Sequence, residues 1–181
     1  MQRAAIAQLS VDPRLMALAC GVLGDAAQPF RATFFDKSPV SNWLVVWHQD
    51  TALPLRVWRD APGWGPWSVK AGIHYAHAPA RALERVLALR IHFDDSTLEN
   101  GPLRVLPGTH RMGVLNDETV QQLSREIEPV DCVVSCGGVI AMRPLLIHSS
   151  SKSRATAPRR VLHIEYTASM HIDDGFELAI A

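Results

Sequence analysis

Trp43-Leu44-Val45-Val46-Trp47-His48-Gln49-Asp50 is an apolar run that ends in a histidine and an aspartate one residue apart. Its β-branched and aromatic content predicts a strand over 43–48. Alternate residues of a strand share a face, so His48 and Asp50 aim an imidazole and a carboxylate at one point. Similar short runs lie on either side, at 31–35, 55–58, 86–93, 103–106, 130–134, 139–142, 145–148 and 159–167. Turn clusters such as Ala61-Pro62-Gly63-Trp64-Gly65-Pro66 and Glu99-Asn100-Gly101-Pro102 separate them. Many short strands with few helices predict a mainly β fold, a sandwich or jelly roll.

Two helices are marked. Asp12 can cap the first, Pro13 suits its first turn, Leu15, Met16, Ala19, Val22 and Leu23 form its apolar stripe, and Gly24 can end it. The second lies between Asn116 and Glu128, with Asp117 and Glu118 in its first turn and Pro129 beyond it.

A chain of 181 residues suits one domain over 1–181. Its apolar runs fall far short of the roughly 18 residues a membrane helix needs. The first ten residues lack the pattern of a secretory signal, so cytoplasmic residence is expected and no membrane partner. Lys plus Arg and Asp plus Glu balance at 18 each without long runs of either sign, leaving no electrostatic footprint for nucleic acid. A small-molecule substrate fits that balance, and the oligomeric state stays open. Cys20, Cys132 and Cys136 show no CxxC spacing, so neither a disulfide framework nor a zinc knuckle is expected, and all three read as buried small side chains.

The His-x-Asp pattern occurs three times, at His48 and Asp50, His92 and Asp94, and His171 and Asp173. The third is followed by only eight residues and reads as a solvated tail. His92-Phe93-Asp94 runs into Asp95-Ser96-Thr97 and a Gly-Pro turn, which a strand end and turn-forming acids explain. His48 and Asp50 remain, and His148, closing the run over 145–148, is the best third ligand. Two histidines and a carboxylate on one face of an ion leave positions open opposite, the arrangement of non-haem Fe(II) oxygenases. This reading requires the imidazoles of His48 and His148 to lie within about 8 Å of each other.

Downstream of His148 stand Ser150 and Arg159. A guanidinium can grip a carboxylate bidentately while a hydroxyl supports it, which suits 2-oxoglutarate. Arg160 is the rival. Arg159 shares a strand face with Val161, His163 and Glu165, whereas Arg160 falls in register with the core-like Leu162, Ile164 and Tyr166, so Arg159 is expected to face the pocket.

Trp47-His48-Gln49-Asp50, the run from Asn100 through Pro107-Gly108-Thr109-His110, and His148-Ser149-Ser150 to Arg159 together resemble the phytanoyl-CoA dioxygenase family. The resemblance implies a double-stranded β-helix, a cupin-like jelly roll with a few flanking helices, whose mouth holds iron. It implies His48, Asp50 and His148 as the Fe(II) ligands and Ser150 and Arg159 as contacts to the cosubstrate 2-oxoglutarate. The implied activity is an O2-dependent dioxygenase reaction that hydroxylates a small molecule and releases succinate and CO2. Halogenating relatives replace the carboxylate ligand by a small residue, so Asp50 favours hydroxylation. Arg90 sits where better-known members carry an aromatic cosubstrate contact. It is expected to bind cosubstrate or an anionic substrate, or else to form a surface ion pair. Only 47 residues precede His48, fewer than in members acting on acyl-CoA, which argues against a CoA thioester.

Residues 58–77, with Trp64, Trp67, Lys70, His74 and His77, are expected either to lie over the site and select substrate or to form a packed aromatic loop. His110 reads as part of a turn, Asn100-Gly101 as a tight turn, and 149–158 as a polar, mobile loop. A jelly roll that holds a metal or ligand without turnover is the alternative. Hydrolysis is disfavoured, because neither Gly-x-Ser-x-Gly nor HExxH occurs.

Overall fold

Eleven strands carry the chain in the computed structural model, which describes residues 2–181 and all their side chains except those of residues 2, 3 and 174. They are β1 (Gln28–Lys37), β2 (Val45–His48), β3 (Ala52–Leu55), β4 (Trp67–Lys70), β5 (Ile73–His77), β6 (Val86–His92), β7 (Leu103–Val105), β8 (Val130–Cys132), β9 (Val139–Met142), β10 (His148–Ser150) and β11 (Arg159–Thr167). Two four-stranded sheets run β1-β11-β6-β9 and β2-β10-β7-β8, and every pairing within them is antiparallel. Strands near in sequence alternate between the two sheets, so the chain winds round a shared interior. This is the expected double-stranded β-helix.

The alternation of side chains decides what enters that interior. On β6, Leu87, Leu89 and Ile91 pack outward with Leu162, Ile164 and Tyr166 of β11 against Leu15 and Ala19 of helix α2 (Pro13–Leu23). Each such side chain, fully buried, contributes on the order of 1.5–3 kcal/mol. The opposite parity, Ala88, Arg90 and His92 on β6 with Arg159, Val161, His163 and Glu165 on β11, is turned inward. The α2 helix starts as predicted, with the Asp12 carboxylate accepting from the Arg14 backbone N–H and Pro13 in its first turn. It stops at Gly24, whose φ of 88° suits glycine. Val22, expected in the apolar stripe, is instead exposed.

Several sequence-based expectations need correction. The strand expected at 55–58 lies at Ala52–Leu55, because Leu53 and Leu55 enter a core with Phe176 and Leu178 while Val57 and Trp58 are exposed. Residues 58–77 contain β4 and β5, which join β3 in a third antiparallel sheet ordered β3-β5-β4. Trp64 and Trp67 pack on Phe176 with ring centroids 4.3 and 5.9 Å away. The strand expected at 145–148 begins only at His148, since Pro144 and the bond from Leu146 N to Arg143 O turn the chain just before it. The loop expected at 149–158 starts inside β10, and Ser149, Ser150 and Ser153 are buried. Cys136 is exposed, and Cys20 and Cys132 are half-buried.

Helices α1 (Gln2–Ser10) and α3 (Ala80–Leu83) are not legible in the sequence, as α1 offers, among the described side chains, Ile6 and Leu9 to the apolar core and α3 is a single turn. The helix expected between 116 and 128 is α4 (Asp117–Glu126), with Asn116 capping it through Thr119 N. Among the described residues, no single helix is long and apolar enough to cross a membrane.

Candidate metal centre

Strand register brings the three candidate ligands together. β10 pairs antiparallel with β2 so that His148 lies directly opposite His48, with ring centroids 4.2 Å apart. Asp50, just past the end of β2, sends Oδ1 to 3.6 Å from His48 Nε2 and Oδ2 to 3.6 Å from His148 Nε2. One ligand atom from each residue lies within 4.8 Å of the others. Each histidine turns Nδ1 toward the carbonyl two residues back, His48 to Val46 O at 2.8 Å and His148 to Leu146 O at 2.9 Å. A carbonyl only accepts, so Nδ1 carries the proton in both rings and the Nε2 lone pairs point at the shared space. That tautomer and this donor set suit a ferrous ion with bonds of about 2 Å.

Electrostatics agree. Burial favours a neutral Asp50 carboxyl, but the adjoining His48 imidazole and the fields of His148 and His163 outweigh it and hold Asp50 well below the usual carboxylate range. Gln49, on the opposite strand face, clamps the centre from behind. Its Nε2 donates to Gly113 O at 2.9 Å and Leu145 O at 2.8 Å, while its Oε1 accepts from Leu115 N. Asp50 N donates to Pro144 O at 2.9 Å. Both ligand strands are thereby tied together. Thr109, from the Pro-Gly-Thr-His segment, is buried and bridges Leu106 O and Ile147 N at the entry to β10.

A cavity of about 90 Å³ opens beside the triad, lined by Phe35, Lys37, Trp43, Val45, Leu103 and Ser149 together with His48, Asp50, Arg90, His148, Ser150 and Arg159. Arg159 is buried at its far end. Its Nε donates to Asn100 O at 3.2 Å and its Nη2 to Ser150 Oγ at 3.3 Å, while Nη1 is buried without a partner among the described residues. Burial, then the field of Arg90, lowers its pKa to about 10. Such a guanidinium is built to receive an anion. Arg160 is on the outside, bound bidentately to Asp94. Of the two arginines, Arg159 is the one that lines the cavity, on the strand face that parity assigns it.

Ser150 differs in detail from the expectation. Its hydroxyl donates to Gly101 O at 2.8 Å and accepts from both Arg159 Nη2 and Lys37 Nζ, so it aligns cations with its single proton already committed. The Asn100-Gly101 turn forms the wall behind it. Asn100 pins the turn through Thr97 N and Asp95 O, and at Gly101, with φ of 65°, a Cβ would stand 2.2 Å from Ser151 O.

Arg90 is buried inside the barrel, which removes the surface ion pair reading. Its Nη1 donates to His163 Nδ1 at 3.0 Å, its guanidinium carbon stands 5.2 Å from the Phe35 ring, and its Nε has no partner. Burial lowers its pKa. His163, its pKa pushed down to about 3 by burial and then by Arg90, is the neutral acceptor of that bond.

The rival pairs do not converge on a third ligand among the described residues. His92 is buried with both ring nitrogens unpartnered, while Asp94 is tied to Arg160. His171 is exposed and Asp173 pairs with Arg81 and Arg85. His110 lies in a 3-10 turn, Thr109–Arg111, beside a larger open groove of about 380 Å³ that holds none of the three candidate ligands. The cavity lining includes no residue of 58–77, so that segment packs on Phe176 rather than covering the site. Sequence reasoning missed Lys37 and Gln49. The parity of Phe35 and Lys37 on one strand face was the available signal for the first, but the strand had been expected to stop at Phe35.

Comparison with known proteins agrees with this architecture. An L-proline trans-4-hydroxylase from Streptomyces griseoviridis is 27% identical over 180 residues, covering 85% of this chain and 59% of that protein. The crystal structure of EctD from S. alaskensis with bound Fe superposes with a TM-score of 0.68 at 23% identity, covering 92% of this chain and 53% of that one. AviO1 from Streptomyces viridochromogenes gives a TM-score of 0.62 at 25% identity, over 88% and 59%. The chain thus spans only a little over half the length of these relatives. The family model described as phytanoyl-CoA dioxygenase matches residues 7–161, most of the chain and a span within which His48, Asp50, His148, Ser150 and Arg159 all fall, and the chain belongs to the phytanoyl-CoA dioxygenase family.

Proposed function

We propose that this chain is an Fe(II)- and 2-oxoglutarate-dependent dioxygenase that hydroxylates a small molecule. The observation that carries this reading is the joining, in one cavity, of the His48, Asp50 and His148 donor set to a buried guanidinium with an unpartnered nitrogen at Arg159. Bound iron would supply dioxygen activation and the oxidative decarboxylation of 2-oxoglutarate to succinate and CO2 that drives C–H hydroxylation. The protein supplies geometry. His48 and His148 present Nε2 because their Nδ1 protons are held by backbone carbonyls, and Asp50 stays ionised between them. Arg159 fixes the far carboxylate of the cosubstrate, with Ser150 holding the guanidinium in line. Arg90 stands nearer Asp50 and offers its free Nε to the near carboxylate or to an anionic substrate. Phe35, Trp43, Val45 and Leu103 exclude water from the reacting centre.

The similarity to an L-proline trans-4-hydroxylase supports small amino acids as the first substrates to try. The test is succinate formation from 2-oxoglutarate by the purified chain with Fe(II) and O2, across a panel that begins with L-proline. Formation that needs iron, oxygen and an intact His148 is expected. Tight metal and 2-oxoglutarate binding without succinate over a wide panel would make the chain a binding protein instead.

A further inference from the structure

Given the metal-centre reading above, on which this rests, we infer that Arg31, held by Glu165, is a positioning residue for the ligand Asp50. His48 and His148 lie within β2 and β10, whose ladder bonds fix them. Asp50 lies in neither strand. It stands in the connection 49–51, where the chain passes from the end of β2 in the second sheet to the start of β3 in the third. On the near side the Gln49 amide and the bond from Asp50 N to Pro144 O tie this connection down. On the far side Thr51 O accepts from Ala78 N at 2.8 Å, and Ala52 O accepts from Arg31 Nη1 at 2.9 Å.

Arg31 reaches that carbonyl from the first sheet. On β1 it is the register partner of Glu165 on β11, and its Nε and Nη2 both donate to the Glu165 carboxylate. Glu165 is buried on an inner strand of that sheet, flanked by β1 and β6. A guanidinium gripped along one edge by a carboxylate has its plane fixed, so Nη1 is aimed in one direction. The ion pair is thus a bracket by which a rigid strand directs a donor at the segment carrying Asp50. Burial opposes the charge on Arg31, but Glu165 and then Asp50 outweigh it and raise its pKa, so the cation persists in the field of the ligand it serves. Apolar side chains of similar size commonly join two strands as well as a buried ion pair does. What they cannot supply is a directed N–H for Ala52 O.

The experiment separates aim from stability by removing the whole pair. Arg31→Met alone would strand a buried carboxylate and destabilise the fold, whereas in Arg31→Met/Glu165→Met both charges leave together and the urea midpoint should stay near that of wild type. Co(II), whose visible absorption reports its ligand set, is the probe. In the double variant Co(II) affinity should fall about 10-fold or more, the scale for removing a partner behind a metal ligand. Its spectrum should move toward that of Asp50→Ala. Arg56→Met/Glu177→Met, which removes an ion pair just past β3, should keep wild-type affinity and spectrum. A folded Arg31→Met/Glu165→Met with wild-type Co(II) affinity and spectrum would overturn the assignment and leave the pair a structural link between β1 and β11. Should that variant fail to fold, Arg31→Lys, which keeps a cation for Glu165 without the planar fork, is read by the same two outcomes. If wild type itself binds no Co(II), the metal-centre reading fails and the role of Arg31 fails with it.

Discussion

His48 and His148 are direct cross-strand partners, with ring centroids 4.2 Å apart, although a hundred residues separate them in the chain. The β2·β10 pairing therefore assembles the proposed metal centre, and a metal should in turn stabilise that pairing. At one hundred times its dissociation constant a ligand adds about 2.7 kcal/mol to the native state. Wild type should melt at higher temperature with Mn(II) than without it. His148→Ala and Asp50→Ala should show no such rise, as read by differential scanning fluorimetry.

Arg159 and Arg160 are neighbours with opposite fates. Arg159→Leu should weaken 2-oxoglutarate binding by about 10- to 100-fold, the worth of a charge-assisted hydrogen bond in a buried site. Arg160→Ala loses only an exposed pair with Asp94, and its affinity should stay within about twofold of wild type. Titration calorimetry with a divalent metal present distinguishes the two. Equal effects would place the anchor elsewhere.

Gln49 satisfies two carbonyls and one N–H from segments that flank the ligands. Gln49→Glu keeps its size but turns a second oxygen toward Gly113 O and Leu145 O. It should cost about 2–4 kcal/mol in urea unfolding at neutral pH and recover part of that loss in mild acid, where the new carboxyl can donate. Gln49→Leu should lack the acid recovery.

Gly101→Ala drives a Cβ to 2.2 Å from Ser151 O at a φ of 65°. About 2 kcal/mol or more of stability should be lost. Because Gly101 O and Asn100 O hold Ser150 and Arg159, oxoacid affinity should fall in the same variant even where it remains folded.

His92 and His163 are buried, and burial followed by the field of Arg90 depresses their pKa values to about 4 and about 3. Between these values and the ordinary 6.5 the unfolded chain binds protons that the folded chain refuses, so stability is present above pH 6.5 and is lost as pH falls. For His92 the loss by pH 4 should be about 3 kcal/mol. Urea midpoints should drop steadily from pH 6.5 to 4.5. His92→Leu, which removes an imidazole with two unpartnered nitrogens, should flatten that slope.

Much of this proposed centre is legible in the sequence. His48 and Asp50 follow from strand period, the choice of Arg159 over Arg160 follows from parity, and Asn100-Gly101 announces its turn. Lys37 could not be read, because the strand was expected to stop two residues short of it. Residues 58–77 were misplaced because Trp64 and Trp67 look alike whether they cover a site or bury themselves against a distant phenylalanine.

By itself the sequence determined the local periods: which residues alternate, where caps and turns interrupt them, and hence a β-rich fold with a histidine and an aspartate on one strand face. Only the tertiary structure decided register and partnership. It set His148 opposite His48, put Lys37 and Arg159 on one serine oxygen, and sent Trp64 to Phe176. Periodicity arises from bonds between near neighbours, whereas register is settled by which long-range pairing buries the apolar faces of both sheets at once.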